Sequence, residues 1–358
     1  MNDKLPLSLF GLSADQISEA LNLDKKFQGK QIFQWLVKGA TTFDEMTNLS
    51  KGLREELTAK MPSVASSKVI ETQVEGSATK LAIQLFDGNV IECVLLTDKN
   101  DRKTACLSSQ VGCAMGCKFC KTATMGMARN LSTEEIIEQY VHLSNITPIS
   151  HIVYMGMGEP MNNMENVLRS IHYFHDEDTY NISLRRITIS TCGIIPGINK
   201  LAETGLPIKL AISLVVADDR TRSSLMPVNN LYPLDKLRRA LLNFQHKGGK
   251  RFTLEYCMLS GVNVDEYAAN RLADFTKNLD AVVNLIPWNP AEDLPFETPT
   301  TQEIKKFTAF LDDFRVSYTR RYTKGRDING ACGQLASKNI SDYELYNDVD
   351  DDDDDDDK

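Results

Sequence analysis

The first sixty residues carry the hydrophobic spacing of amphipathic helices. Between Ser13 and Met61, apolar residues recur at helical intervals that place them on one face. These residues are Ile17, Leu21, Ile32, Phe33, Trp35 and Leu36. Ser13 and Gln16 have the spacing of a capping box at a helix start. The pattern predicts a small helical module.

The periodicity changes between Lys68 and Leu96. Short runs with alternating character, KLAIQLF and NVIECVLL, flank an Asp87-Gly88 pair. Alternation over such runs is typical of strands, and Asp-Gly favours a tight hairpin turn. This stretch therefore predicts a β-hairpin.

From Thr104 onward, short apolar runs rich in β-branched residues alternate with helical stretches. The runs are HIVYM (151–155), RRITIS (185–190), IKLAISL (208–214), RFTLEYCML (251–259) and VVNLIPW (282–288). Such alternation predicts βα units around a parallel sheet. Because five or six units are present and no GxGxxG follows any run, a barrel or partial barrel is favoured over an open dinucleotide-binding sheet.

Composition and charge narrow the class of protein. The chain of 358 residues has no apolar run near the roughly 20 residues that span a bilayer, and its start lacks the pattern of a secretory signal, so we expect no membrane segment and a cytoplasmic location. The formal charge is −9, but eleven acidic residues and one lysine lie between Asp342 and Lys358. Without this tail the chain is close to neutral. We expect the tail to be solvated, disordered and without a role.

The eight cysteines indicate metal or redox chemistry, because a cytoplasmic chain rarely uses a disulfide framework. Cys113, Cys117 and Cys120 form a CxxxCxxC group directly after TACLSSQVG. Three thiolates on one loop suit an iron–sulfur cluster that keeps one iron open to a reactant. Structural zinc is the alternative, but it requires a closed set of four ligands, and the nearest downstream histidine is His142.

At these residues the sequence resembles the radical S-adenosylmethionine (SAM) superfamily. That resemblance implies a partial (βα)6 barrel, a four-iron, four-sulfur (4Fe–4S) cluster on the three cysteines, and reductive cleavage of SAM. The segment MGMGEP (155–160) follows the next predicted strand, where the superfamily has a glycine-rich, glutamate-containing turn that holds the amino group of SAM. Glycines permit close backbone approach, and a carboxylate pairs with an ammonium group.

Further segments resemble one family, the RlmN adenine C2-methyltransferases of 23S ribosomal RNA and tRNA, from Phe27 to about Ser337. They are KFQGKQIFQWL, TTFDEMTNLSKGLREEL, CLSSQVGCAMGCKFC, MGMGEP, ITISTCGIIPGI, LAISL, SSLMPVNNLYP, NLIPWNP and GRDINGACGQLAS. The expected divisions are a helical, RNA-contacting module at 1–65, a β-hairpin extension at 66–103, a barrel at 104–322, a catalytic loop at 323–341 and the acidic tail at 342–358.

The resemblance implies a methyl carrier within the protein. One SAM methylates Cys332, and a second is cleaved to generate the radical that activates this methyl group, so two SAM molecules are used per turnover. The carbon then joins adenine in a transient protein–RNA adduct, and Cys106 resolves it by forming a disulfide with Cys332. Adenine carbon 2 is electron-poor and cannot attack a methyl group as a nucleophile, which supports a radical route. For Cys93, Cys192 and Cys257, which lie in apolar runs, we expect the role of small buried hydrophobes.

Other roles follow from the resemblance by position. Glu92 matches the family's proton acceptor, with an exposed strand carboxylate as the alternative. The matches to SAM contacts are Gly158, Glu159, Ser190, Ser213, Leu214, Val215 and Asn289. Val215 replaces the usual histidine, so any contact at this position must come from the backbone.

Three other functions share part of this sequence pattern. Cfr-type enzymes use the same cysteine chemistry at adenine carbon 8, but Pro160 and the segment 286–289 resemble the RlmN family, and this resemblance favours carbon 2. A non-catalytic RNA-binding protein with a metal knuckle would need a closed site and no Cys106 or Cys332. A glycyl-radical activase would lack the ACGQL segment.

The expected partners are 23S ribosomal RNA, tRNA and a reducing donor such as flavodoxin or ferredoxin, and we expect a monomer. Basic side chains near both ends of the folded chain are candidates for phosphate contacts. They are Lys25, Lys26, Lys30, Lys38, Lys51, Arg54, Arg320, Arg321, Lys324 and Arg326.

Overall fold

A ten-stranded sheet organises the protein. The structure, a computed structural model, describes residues 8–248, 251–321 and 324–336. The acidic tail and the end of the expected catalytic loop lie outside these residues. The strands of this sheet lie side by side in the order of the chain, and two short strands form a separate sheet.

The helical module begins the described chain, as the hydrophobic spacing predicts. Its helices are α1 (Ala14–Ala20), α2 (Lys26–Val37) and α3 (Lys51–Lys60). The capping box forms at α1, where the Ser13 amide donates to Gln16 Oε1 at 2.9 Å and the Gln16 amide donates to Ser13 Oγ at 3.3 Å. At Gly29 a β-carbon would lie 2.4 Å from the Ala14 carbonyl oxygen, so glycine lets α1 and α2 cross closely.

The extension contains three antiparallel strands, β1 (Lys68–Glu75), β2 (Ala78–Gln84) and β3 (Val90–Thr97). The predicted hairpin is β2–β3. The prediction omitted β1, whose residues are exposed or half-buried along its whole length and so give no apolar signal. Strand β4 (Lys103–Cys106) pairs antiparallel with β3 and joins the extension to the barrel.

Seven strands within the described residues pair in parallel, which confirms the predicted βα architecture. After β4 they are β7 (His151–Tyr154), β8 (Ile187–Thr191), β9 (Lys209–Ser213), β10 (Phe252–Met258), β11 (Ala281–Pro287) and β12 (Tyr318–Arg320). Among the described residues, β4 and β12 do not pair with each other, so this part is an open barrel.

Helices connect successive parallel strands. They are α5 (Thr133–Ser144), α6 (Met164–His175), α7 (Ile195–Thr204), α8 (Asp219–Leu225), α9 (Leu234–His246), α10 (Glu266–Thr276) and α11 (Thr301–Asp313). A short helix, α4 (Lys121–Thr124), follows the cysteine loop. None of the helices in the described ranges has the length and apolar character that crossing a membrane requires.

The separate two-stranded sheet was not predicted. Its strands, β5 (Gln110–Gly112) and β6 (Met127–Asn130), pair antiparallel. Both strands are only three or four residues long, too short for a periodic signal. They flank the cysteine loop on both sides and so define where it leaves the barrel.

Candidate active site

The cysteine loop begins at a point of close backbone contact between β5 and β6. Gly112 adopts a φ of +74°, and a β-carbon there would lie 2.1 Å from the Gly126 carbonyl oxygen. The Cys113 amide donates to this same oxygen at 2.6 Å. Glycine at position 112 therefore lets the small sheet hold the first cysteine of the loop.

Cys113, Cys117 and Cys120 line one cavity of about 190 Å³, here called the inner cavity. Within the described ranges, no three His, Cys, Asp or Glu side chains converge on a position for a single metal ion. A 4Fe–4S cluster needs a wider arrangement, because each thiolate binds a different iron. Burial raises the pKa of Cys113 to about 11 and also raises the pKa values of Cys117 and Cys120. Ligation by iron would offset this burial cost, since metal-bound thiols are deprotonated.

Glu159 places a buried carboxylate on the same cavity. Its Oε1 accepts a hydrogen bond from the Met161 amide at 3.0 Å, and its Oε2 accepts one from the Cys192 amide at 2.8 Å. Burial raises the pKa of Glu159, and among the described residues no lysine or arginine forms an ion pair with this carboxylate. A ligand ammonium group would supply the missing cation, so the site fits the amino group of SAM.

The glycines of the MGMGEP segment permit close packing against the loop between β4 and β5. A β-carbon on Gly158 would lie 2.5 Å from the side chain of Gln110, and one on Gly156 would lie 2.6 Å from Ser108 Oγ. Gly158 also has a φ of +95°. The sequence pattern predicted close approach to a cofactor, whereas the structure shows that neighbouring protein atoms already require glycine here.

The ends of three further strands complete the inner cavity. Ser190, Ser213 and Asn289 line it, as the sequence resemblance suggested. Leu214 is fully buried and is not among the described residues that line it. Val215 lines the cavity with a φ of +60°, a strained conformation for a β-branched residue, and its carbonyl accepts a hydrogen bond from Asn263 Nδ2 at 2.8 Å.

Cys332 is exposed in a turn that is tied to the residues just after the cysteine loop and just after β11. The Asn289 side chain donates to the Cys332 carbonyl oxygen at 3.2 Å. The Lys121 amide donates to the Gly333 carbonyl oxygen at 2.8 Å, and Thr122 Oγ1 donates to the Leu335 carbonyl oxygen at 2.6 Å. These bonds place the turn over the inner cavity.

A second cavity of about 400 Å³, here called the outer cavity, contains Cys106. Residues from β4, β7, β8, β9 and β11 line it, so it occupies the inside of the open barrel. Burial raises the pKa of Cys106 to about 12, the nearby Cys332 thiol adds to this rise, and Arg321 opposes it. Cys332 and Arg321 line both cavities.

Cations surround the mouth of the outer cavity. Arg186 and Lys209 are exposed at the N-terminal ends of β8 and β9, and Arg102 lies beside them, paired with Asp98 at 2.8 Å. Together with burial, these three cations lower the pKa of His151. The sequence reasoning missed this group because its members come from separate loops.

The basic residues near the two ends of the folded chain, which are candidates for phosphate contacts, lie in different environments. Lys25, Lys26, Lys30, Lys38 and Lys51 are exposed on the helical module, as are Arg320 and Arg326 near the other end. Arg54 is half-buried and donates to the Asp44 carbonyl oxygen at 2.8 Å. Arg321 and Lys324 line the outer cavity rather than the outer surface.

Glu92 is buried on β3, and among the described residues it lines neither cavity. Its Oε1 lies 2.8 Å from Lys80 Nζ, and its Oε2 accepts a hydrogen bond from the Ala336 amide at 2.9 Å. Its assignment as the proton acceptor stays a prediction.

Two cysteines predicted to be small hydrophobes also line the inner cavity. Cys93 is fully buried in the core, as expected, but Cys192 and Cys257 face the inner cavity. Glu255 faces it two positions before Cys257 on β10. Because alternate residues of a strand share a face, the period of two could have grouped this pair.

Two family models match separate parts of the chain. Residues 8–62 match the model of the ribosomal RNA large subunit methyltransferase N-terminal domain, and residues 107–271 match that of the radical SAM superfamily. A radical SAM methyltransferase from Sphaerobacter thermophilus superposes with a TM-score of 0.87 at 37% identity, covering 93% of this chain and 100% of that protein.

Curated relatives match nearly the whole chain. The probable dual-specificity RNA methyltransferase RlmN of Treponema pallidum (strain Nichols) is 43% identical over 331 residues, which cover 92% of this chain and 97% of that protein. The dual-specificity RNA methyltransferase RlmN of Geotalea uraniireducens is 41% identical, covering 88% and 91%.

Proposed function

The chain belongs to the RlmN family of radical SAM RNA methyltransferases, and from this premise we propose that it methylates carbon 2 of adenosine in 23S ribosomal RNA and in tRNA, using Cys332 as the methyl carrier. It is a SAM-dependent RNA methyltransferase with the radical SAM fold. The choice of carbon atom and the passage of the methyl group through the protein are the proposed parts.

Membership of the radical SAM superfamily implies a 4Fe–4S cluster and SAM. Cys113, Cys117 and Cys120 would hold the cluster, and Glu159 would bind the amino group of SAM. When bound, these cofactors supply a methyl group and a hydrogen-abstracting radical. The remaining lining residues, Ser190, Ser213, Asn289, Gly158 and the backbone of Val215, would shape the SAM site. We propose two SAM molecules per turnover.

The single observation that carries the proposal is the position of Cys332 between the two cavities. The inner cavity holds the candidate cluster ligands, whereas the outer cavity opens toward solvent between exposed cations. The Cys332 sulfur can therefore receive a methyl group from the side of the inner cavity and present it to a nucleotide on the side of the outer cavity. Exposure of Cys332 supports this, because a structural cysteine is normally buried.

Cys106, which lines the outer cavity together with Cys332, would release the product. In the proposed step, Cys106 Sγ attacks Cys332 Sγ, and the bond between Cys332 Sγ and the transferred carbon breaks. The electron pair of that bond stays with the carbon, which takes up a proton to become the methyl group. The resulting Cys106–Cys332 disulfide returns to two thiols through a cellular dithiol reductant. Arg321 favours the attacking thiolate because it opposes the burial that raises the pKa of Cys106.

The outer cavity also offers a route for RNA. Its mouth carries Arg102, Arg186 and Lys209, which suit the phosphates that flank a target nucleotide. The nucleotide itself would enter the barrel toward Cys106. Flavodoxin or ferredoxin as the electron donor and a monomeric state stay predictions.

The experiment that tests this function compares Cys332→Ala with Cys106→Ala. The first variant has no methyl acceptor and should form no RNA adduct. The second can still carry and transfer the carbon but lacks the resolving thiol, so it should accumulate enzyme linked to RNA through Cys332. A denaturing gel with nuclease treatment detects the adduct. An active Cys332→Ala enzyme, or a Cys106→Ala enzyme that methylates RNA without an adduct, would exclude the proposal.

A separate measurement identifies the adenine carbon atom that is methylated. Nucleosides from treated 23S ribosomal RNA and tRNA are analysed by mass spectrometry with chromatographic standards. 2-Methyladenosine supports the proposal, whereas 8-methyladenosine would assign the chain the carbon 8 activity of Cfr-type enzymes.

A further inference from the structure

The segment that carries Cys332 contacts the β1–β3 extension at points on both sides of this cysteine. Residues 324–336 are here called the docked segment. Before Cys332, Lys324 Nζ donates to the Thr97 carbonyl oxygen, and the Asp327 amide donates to Glu75 Oε2 at 2.9 Å. After Cys332, the Ala336 amide donates to Glu92 Oε2 at 2.9 Å.

The contact with Glu92 differs from the others because it ends in a buried ion pair. Lys80 Nζ lies 2.8 Å from Glu92 Oε1, and the two side chains are 7% and 3% exposed. The β2–β3 register places Ala82 opposite Glu92 and Val94 opposite Lys80, so the two charges are diagonal neighbours on one face of the sheet. Each oxygen of Glu92 therefore has its own partner.

Burying two such charges is costly and adds little net stability compared with an apolar pair. Burial raises the pKa of Glu92, and Lys80 opposes this rise. The ion pair holds the Glu92 carboxylate in a fixed position. There it accepts a hydrogen bond from the amide of Ala336, four residues after Cys332. In some proteins such a buried charged group fixes the position of a neighbouring segment more than it stabilises the core.

Glu92 is also poorly placed to touch the reacting atoms. Among the described residues it lines neither cavity, and both of its oxygens are engaged by protein groups. Cys332, which lines both cavities, lies four residues before Ala336, the residue whose amide Glu92 binds.

We propose that Lys80 and Glu92 are positioning residues, which hold the docked segment on the extension and so set Cys332 between the two cavities. This inference rests on the proposed role of Cys332 as the methyl carrier. The β1–β3 extension supports the docked segment. Glu92 acts through its hydrogen bond to the backbone of Ala336 and does not contact the RNA.

The test uses the full-length enzyme with Lys80→Gln, Glu92→Gln and the double variant. Each single change leaves one buried charge without its partner, whereas the double variant restores a neutral pair of amides that can bond to each other and to the Ala336 amide. Lys60→Gln, which breaks the exposed pair with Glu56, is the matched control. Ala336→Pro removes the donor from the other side of the contact without altering the buried pair.

Hydrogen exchange followed by mass spectrometry reports docking directly. Amides of residues 324–336 should exchange roughly tenfold faster or more in each single variant and in Ala336→Pro. The double variant should recover most of the protection, and Lys60→Gln should match the unaltered enzyme. Unchanged exchange in the single variants and in Ala336→Pro would overturn the proposal.

Chemical readouts separate positioning from proton transfer. Peptide mass spectrometry measures methylation of Cys332, and a denaturing gel measures the RNA adduct. If Glu92 positions the segment, methylation of Cys332 falls with docking, no adduct accumulates, and the double variant regains activity. If Glu92 is the proton acceptor, Glu92→Gln methylates Cys332 normally and accumulates adduct, and the double variant is no better, which would overturn the proposal.

A different result would contradict the proposed function and leave the positioning role of Lys80 and Glu92 intact. An unaltered enzyme that methylates RNA without ever carrying a methyl group on Cys332 would exclude the carrier role, even where hydrogen exchange confirms that Lys80 and Glu92 hold the docked segment.

Discussion

The side-chain amide of Asn289 donates a hydrogen bond to the main-chain carbonyl oxygen of Cys332 at 3.2 Å. Asn289 also lines the inner and the outer cavity. The residue that the sequence resemblance assigned to SAM therefore also supports the turn of the candidate methyl carrier. Asn289, just after the end of β11, thus contacts the Cys332 turn and lines the candidate SAM site. This shared contact fixes the position of the turn relative to the SAM site.

Replacing any one of Cys113, Cys117 or Cys120 by alanine should abolish cluster binding and the formation of 5′-deoxyadenosine, because three ligands leave none to spare. Iron content and the absorbance of the anaerobically reconstituted protein measure the cluster, and chromatography measures the nucleoside. Cys93→Ala, in the fully buried core, is the control and should keep its iron. A variant with a complete cluster and normal turnover would contradict the assignment.

Replacing Arg186 and Lys209 together by alanine should weaken RNA binding and reduce its dependence on salt. Each phosphate contact that is lost should lower the slope of log affinity against log salt by roughly one unit. Titrations at several salt concentrations give this slope. Arg169→Ala, which removes an exposed cation on α6, is the control and should leave the slope unchanged. Equal slopes in all three proteins would show that RNA does not use this mouth.

Acidification should destabilise the protein through His142. Burial lowers the pKa of His142 from 6.5 to about 4, and its ring lies 3.1 Å from Ser67 Oγ. Between these values the unfolded chain binds more protons, so stability falls as the pH drops from 6.5 toward 4, by up to about 3 kcal/mol.

Glu138 shares Ser67 with His142, and burial raises its pKa, so it acts in the opposite direction. Urea unfolding of the enzyme and of His142→Gln across this pH range isolates the histidine, because Glu138 is common to both. The variant should show the flatter profile. Parallel profiles would assign the acid sensitivity to other groups.

Deleting residues 342–358 should leave activity on RNA unchanged or improved, since a polyanion repels phosphate. Steady-state methylation at low and physiological salt measures the effect, and any gain should be larger at low salt. A large loss of turnover would show that the tail takes part in the reaction.

The sequence predicted the sheet better than the site. Apolar runs reported the central parallel strands, because their burial leaves a strong local signal, whereas β1 and β5 are exposed or very short. The cysteine spacing is also a local signal, whereas Ser190 and Ser213 were assigned by position from the family resemblance. The place of Arg321 beside Cys106 and the group of cations at the outer cavity could not be predicted, because the folded sheet, and no local pattern, brings these residues together.

Glu92 illustrates a further limit of prediction from sequence. A carboxylate in the run VIECVLL carries no sign of whether it meets solvent, a reactant or a buried lysine. The β2–β3 register and the return of the chain at Ala336 decide this, and both depend on contacts between distant residues.

The hydrogen bonds from Lys121 and Thr122 to the docked segment have a consequence for how the enzyme is made. They place residues 333–335 over the cysteine loop, so the finished fold restricts access to the candidate cluster ligands. During synthesis, Cys120 emerges about 200 residues before this cover, a delay of roughly 10–40 s at ordinary rates of translation. The cysteines that would hold the cluster are therefore open to cluster delivery on the nascent chain until residues 333–335 have been synthesised and have docked.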